Sequence, residues 1–129
     1  LVGGGGAPGP IAQLNGEIYY PPYLFEKDGS GNFSPRPEIT DYPTSTIGWN
    51  QNFSVQSDEV ITRVTLVRAG AVTHTFNNET RFFDLAVTPG HIVSVHSPVS
   101  SSVAPPGYYM LFVWNSEGVP SIAKIIQLG

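Results

Sequence analysis

Short runs of β-branched and aromatic residues, separated by turn-forming residues, are the feature that most limits how this chain can fold. Fourteen glycines and twelve prolines lie between the apolar runs rather than in one tract, and this spacing favours many short strands joined by turns. No stretch of the sequence combines sustained 3.6-residue periodicity with helix caps. The pattern predicts an all-β fold of about seven strands, an immunoglobulin-like β-sandwich.

The strands are expected where β propensity is highest. Pro21 and Pro22 confine the first strand to an edge or an end of a sheet. The run 107–115 is nearly all apolar, which predicts a central strand buried on both faces. The predicted strands are 16–25, 51–57, 59–69, 81–87, 91–97, 107–115 and 119–128.

Two-residue alternation assigns faces to two of these strands. In the run 81–87 it places Phe83, Leu85 and Val87 on one face. In the last long apolar run, one of Tyr108 and Tyr109 faces the core and the other faces away. A tyrosine near the start of a late sandwich strand often bonds back to the adjacent loop, as a tyrosine corner.

Length, charge and cysteine content exclude several classes of function. The 129 residues suit one domain, and the six basic residues are scattered in a chain of formal charge −4, which argues against a nucleic-acid partner. The sequence contains no apolar run of about 18 residues or more, so it predicts no membrane-spanning helix. No signal peptide is evident. Without cysteine, disulfides, Cys-ligated zinc and thiol nucleophiles are excluded.

His74 is the one residue whose position asks for a chemical explanation. It lies in GAVTHTFNNETRFFDL, a predicted hairpin, about four residues before the expected tip. A metal site needs about three or four ligands, and His91 and His96 are five apart on a strand, so they point to opposite faces. The residues alone favour a solvated surface histidine and no self-contained active site, since acid pairs and nucleophile motifs are also missing.

Three segments together resemble a known family. They are GGGG…GEIYYPPYLF with RPEI, VTLVRAGAVTHTFNNETR, and APPGYYMLFVWNSEGVPSIAKII. All three resemble, in the same order, the C-terminal domain of galactose oxidase and glyoxal oxidase, the copper radical oxidases. The resemblance extends from about residue 3 to about residue 127. The family's C-terminal fold is also an immunoglobulin-like sandwich.

That resemblance implies a role for His74 in a larger parent protein. In such enzymes a seven-bladed β-propeller precedes this domain, and a hairpin of the domain enters the propeller's central channel. The family motif THxxNxxQR places a copper-binding histidine at His74. The implied parent is a secreted oxidoreductase that oxidises a primary alcohol or aldehyde with dioxygen and gives hydrogen peroxide, using copper and a Tyr–Cys radical cofactor. This chain has no cysteine, so alone it is not expected to be catalytic or to bind copper tightly.

Four neighbours of His74 are expected to support the hairpin: Thr73, Thr75, Asn77 and Arg81. Thr73, Asn77 and Arg81 match the family motif. The motif's glutamine is replaced by Thr80. Alternation points Thr73 and Thr75 away from the face that His74 uses, which predicts that neither is the hydrogen-bond partner of the imidazole.

The domain boundaries follow from the same resemblance. Residues 1–12 are interpreted as a stub of the last propeller blade with a glycine-rich linker, and residues 13–129 as the sandwich. Because Met110 is the only methionine, the chain is expected to be a piece of a longer protein.

Two alternatives stay open. One is a separate sandwich module that binds carbohydrate or protein without catalysis, and the other is a relative that has lost the copper chemistry. In the first alternative, the stacking surface would come from Tyr19, Tyr20, Tyr23, Trp49 and Trp114.

Overall fold

The computed structural model describes residues 2–3, 16–74 and 76–129. The chain divides into two compact units, Leu1–Ser34 and Pro35–Gly129. Among the described residues, no helix is long and apolar enough to cross a membrane. The predicted boundary between residues 12 and 13 lies outside the described residues and stays a prediction.

Eleven strands and one short helix are defined in the described part of the chain. The helix is a 3₁₀ turn, Pro22–Leu24. The strands are β1 (Val2–Gly3), β2 (Gly16–Glu17), β3 (Ile39–Asp41), β4 (Asn52–Ile61), β5 (Arg63–Arg68), β6 (Val72–Thr73), β7 (Phe76–Asn77), β8 (Phe82–Leu85), β9 (Gly90–His96), β10 (Gly107–Trp114) and β11 (Lys124–Leu128).

Seven of these strands form the sandwich of the second unit. One sheet has the order β11-β10-β5-β8 and the other has the order β3-β4-β9, and neighbouring strands in both sheets are antiparallel. The predicted all-β sandwich of about seven strands is therefore confirmed. The remaining strands form two-stranded ladders, β1 with β2 and β6 with β7.

The core lies between the two sheets because alternate residues of each strand turn inward. Strand β4 contributes Phe53 and Val55, and β10 contributes Leu111 and Val113, all of which are buried. The shared face predicted for the run 81–87 is confirmed, since Phe83, Leu85 and Val87 all pack against this core. Burial of this kind stabilises by about 25 cal/mol per Å² of apolar surface.

Three strand predictions were wrong in their extent. The expected break near Asp58 is absent, because β4 is continuous to Ile61. The chain crosses between the sheets at Thr62, whose hydroxyl donates to the Trp114 and Asn115 carbonyls. The predicted strand 16–25 is a strand only at Gly16–Glu17, and Val119–Ala123 precede the last strand instead of starting it.

Strand β10 is central, but it is buried on only one face. Tyr109, Leu111 and Val113 point into the core, while Met110 and Phe112 on the opposite face are half-buried. The prediction of burial on both faces was therefore wrong, because the second face is the outer surface of the sandwich. The turn after β10 is held by Asn115, whose Oδ1 accepts the backbone N–H groups of the turn.

The first unit contains the short pair β1–β2 and a small aromatic cluster. Val2–Gly3 pairs with Gly16–Glu17, which gives the expected N-terminal stub a partner within the chain. The rings of Phe25 and Phe33 stack with centroids 4.7 Å apart, and Tyr20 meets Phe33 edge-on at 5.1 Å. These contacts join the two ends of the loop that follows the 3₁₀ turn.

Candidate metal-binding hairpin

The hairpin β6–β7 leaves the four-stranded sheet between β5 and β8. Val72 pairs with Asn77, and Thr73 pairs with Phe76, so His74 begins the two-residue connection. His74 has φ +51°, the left-handed conformation that tight hairpin turns require. The imidazole therefore lies at the tip of the hairpin itself, and the expectation of a tip about four residues later was wrong.

Thr73 contacts the ring of His74, contrary to the prediction. Its Oγ1 is 2.7 Å from His74 Nδ1. The prediction failed because strand alternation assumes extended backbone, and the left-handed φ of His74 turns its side chain out of that alternation. Thr75 lies outside the described residues, so its supporting role stays a prediction.

Asn77 closes the base of the hairpin. Its side-chain Oδ1 accepts the backbone N–H of Ala71 and that of Glu79, both at 3.1 Å. The backbone N–H of Asn78 donates to the Ala71 carbonyl at 3.0 Å. One amide side chain thus satisfies two backbone donors that lie beyond the short β6–β7 ladder.

A charged cluster joins the hairpin to the sandwich. Glu79 Oε2 accepts from Arg68 Nε at 3.0 Å and from Arg81 Nη1 at 3.3 Å. Arg68 also donates to the Pro105 carbonyl and lies 3.4 Å from the Tyr109 hydroxyl. That hydroxyl donates to the Pro105 carbonyl at 2.7 Å, so the expected tyrosine corner is present, with Tyr109 facing the core.

Sequence reasoning missed Arg68 and Glu79. The two residues lie on either side of the hairpin and meet because the chain returns antiparallel to β5 after it. Arg81, which was expected to support the hairpin, does so through Glu79. The backbone carbonyl of Arg81 also accepts the backbone N–H of Arg68. This bond extends the pairing of β5 with the segment that leads into β8.

The side chains of the hairpin are exposed although two of them are large and apolar. Val72 is 72% exposed and Phe76 is 73% exposed. His74 is exposed as well. Single exposed apolar residues are ordinary, but here they flank a histidine on a projecting hairpin.

His74 does not belong to a cluster of metal-binding side chains in the described part of the chain. Within the described residues, no group of three or more His, Cys, Asp or Glu side chains could hold a metal ion. His96 is engaged elsewhere, with its ring nitrogens against Asn52 and Asn50 at 2.8 and 3.1 Å. The hairpin therefore presents one exposed imidazole without a cluster of further ligands among the described residues.

The aromatic residues of the binding-module alternative separate into two groups. Both tryptophans are tied into the sandwich: Trp49 donates to the Ala104 carbonyl and Trp114 donates to Thr65. Tyr19, Tyr20 and Tyr23 in the first unit are exposed. Of these five residues, the three tyrosines are the exposed ones.

An all-β sandwich that projects a histidine-tipped hairpin defines the class of this protein, and comparison with known proteins defines its family. The model of the galactose oxidase-like, early set domain family matches residues 36–128. The chain belongs to this family, as the sequence motifs predicted.

Two curated proteins illustrate the relationship. A galactose oxidase from Gibberella zeae is 38% identical over 130 residues, covering 98% of this chain and 19% of the relative. An aldehyde oxidase GLOX from Vitis pseudoreticulata is 30% identical, covering 90% of this chain and 23% of the relative. The chain thus spans about a fifth of the length of these relatives.

A solved structure shares the fold. It is a fungal alcohol oxidase of the AA5 family, determined in complex with copper. It matches with a TM-score of 0.76 and 32% identity, over 84% of this chain and 23% of that chain.

Proposed function

We propose that this chain is the C-terminal sandwich domain of a copper radical oxidase and that it supplies His74 as one copper ligand. The observation that carries the proposal is the position of His74 at the exposed tip of a hairpin anchored to the sandwich. Family membership and the copper-bound alcohol oxidase with the same fold support the choice of metal.

The chemistry of the donor fits copper. A neutral imidazole nitrogen is a suitable ligand for copper, and no described residue forms a hydrogen bond with His74 Nε2. In the proposed parent, copper and a Tyr–Cys radical cofactor supply the redox chemistry when bound, for oxidation of a primary alcohol or aldehyde with reduction of dioxygen to hydrogen peroxide. The contribution of this chain is to hold one imidazole at the end of a supported hairpin.

The remaining ligands are proposed to lie in a seven-bladed propeller of the same polypeptide, preceding this domain. The small share of each relative that the chain covers supports a longer parent. The exposed Val72 and Phe76 on the hairpin support its insertion into another domain. In this proposal residues 1–12 belong to the last blade and its linker, and the parent is secreted.

Replacement of His74 in the full-length parent tests the proposal. In His74→Ala we expect loss of the bound copper and of peroxide production, with an unchanged thermal unfolding midpoint, because the side chain is exposed. His91→Ala is the matched control, since His91 is also exposed and lies on β9 of the other sheet. Full copper content and turnover in His74→Ala would contradict the proposal.

The exposed tyrosines favour one second candidate, a carbohydrate-binding module. Aromatic faces such as those of Tyr19, Tyr20 and Tyr23 suit stacking on sugar rings. The test is retention of the chain on a panel of immobilised glycans, compared with a triple Tyr→Ala variant. Equal behaviour of the two proteins would reject this candidate.

A further inference from the structure

We propose that Thr73 is a positioning residue that holds the His74 imidazole in the orientation needed to present Nε2 to copper. This inference rests on the proposed function of His74. Thr73 does not bind the metal itself, and its effect acts through the ring of its neighbour.

The geometry joins the Thr73 hydroxyl to one particular ring nitrogen. Thr73 Oγ1 lies 2.7 Å from His74 Nδ1, well within hydrogen-bond distance. A neutral imidazole carries its proton on one nitrogen only. When Nδ1–H donates to Oγ1, the lone pair is on Nε2, and no described residue forms a hydrogen bond with that nitrogen.

Backbone structure holds both partners in place. Thr73 is paired with Phe76 in the β6–β7 ladder, and its β-branched side chain has few χ1 rotamers. His74 reaches back towards Thr73 because of its left-handed φ of +51°. The hydroxyl and the ring are thus brought together by the turn, and neither has to be ordered by the metal.

Among the described residues of the hairpin, the Asn77 side chain also has a suitable acceptor atom, but this atom is already engaged. Its Oδ1 is already shared by two backbone N–H groups at the base of the hairpin. Partners of metal-binding histidines orient the ring and raise its basicity, and their loss typically costs about 10- to 100-fold in metal affinity. A hydroxyl is a weaker acceptor than a carboxylate, so we expect the lower end of that range.

The test compares three variants in the full-length parent. Thr73→Val keeps the shape and removes the hydroxyl, Thr73→Ser keeps the hydroxyl, and Thr80→Val removes an exposed hydroxyl from the same hairpin. We expect the copper dissociation constant, measured by competition with a chelator, to rise about 10-fold in Thr73→Val. It should stay close to wild type in the other two variants.

Electron paramagnetic resonance of the Cu(II) form gives a readout that is independent of turnover. In Thr73→Val we expect altered nitrogen hyperfine couplings, whereas Thr73→Ser restores the wild-type spectrum. Unfolding midpoints verify that each variant folds. Should Thr73→Val unfold, Thr73→Ala serves as the second hydroxyl-free variant.

The outcomes separate this inference from the proposed function. Wild-type affinity and spectrum in folded Thr73→Val, together with copper loss in His74→Ala, would overturn the role of Thr73 and leave the proposed function standing. Equal losses in Thr73→Ser and Thr73→Val would also overturn it, because the hydroxyl would then be irrelevant. Full copper retention in His74→Ala would overturn both.

Discussion

The hairpin that carries His74 and the sheet from which it emerges are stabilised by different interactions. In the sheet, Leu111 of β10 is 0% exposed, whereas Val72 and Phe76 of the hairpin are 72% and 73% exposed. The sheet is stabilised by apolar burial against the facing sheet. The hairpin relies on four paired residues, the Asn77 side chain and the Glu79–Arg68 ion pair.

This difference shows what each region contributes. An isolated two-stranded hairpin is marginally stable at best, so the hairpin adds little to the stability of the domain that supports it. The exposed Val72 and Phe76 side chains would contribute stabilisation by burial only if another domain or protein covered them. In the proposed function, the sandwich supports the hairpin, and the hairpin is the part that contacts another domain.

The largest expected difference in stability between the two regions comes from shortening one apolar side chain in each. In the 129-residue chain, Leu111→Ala should lower the free energy of unfolding by about 2–5 kcal/mol, because it leaves a cavity between the sheets. Val72→Ala should change it by no more than about 0.5 kcal/mol. Urea unfolding measures both values, and a large loss in Val72→Ala would show that the hairpin packs against its own domain.

The tyrosine corner, where the two regions meet, gives a smaller expected effect. Tyr109→Phe removes the hydroxyl that donates to the Pro105 carbonyl and lies against Arg68, and it should cost about 0.5–1.5 kcal/mol through the loss of that hydrogen bond. Tyr108→Phe is the control, since Tyr108 is 59% exposed and should change stability little. Equal unfolding midpoints for the two variants would argue against the corner as an anchor.

The smallest effect is expected from an ion pair on the rim of the sheet. Arg63 donates to both carboxylate oxygens of Asp84 at 2.9 and 2.8 Å, and this hydrogen bonding holds the pKa of Asp84 below its ordinary value of 3.8. Because both side chains are about half exposed, Asp84→Asn should cost less than about 1 kcal/mol at neutral pH.

The pH dependence has a definite sign. A carboxyl whose folded-state pKa is lowered contributes stability above its unfolded-state pKa, and that contribution is lost as the pH falls through the folded-state pKa. The difference between wild type and Asp84→Asn should therefore be present at pH 7 and vanish in strong acid. Urea titrations at several pH values measure it, and a difference that grows towards acid would contradict the assignment.

The local pattern of the sequence was sufficient for the sandwich. Two-residue alternation identified the residues that share one face of β8 and the division between Tyr108 and Tyr109, because each side chain in a strand simply follows its backbone. It could not locate the crossing at Thr62, since Val60, Ile61 and Val64 around it are β-branched residues typical of a strand. It also overestimated the burial of β10, whose outer face has no second layer against it.

What the sequence determined by itself is the fold class, the family motifs and the presence of a histidine in a hairpin. Only the tertiary structure decided that His74 begins the turn, that Thr73 contacts its ring, and that Arg68 joins Glu79 to the tyrosine corner. The physical reason is that these contacts depend on one residue in the left-handed conformation and on the segment after the hairpin, which runs antiparallel to β5. Neither a φ angle of +51° at a histidine nor an ion pair between distant residues leaves a periodic signal in the sequence.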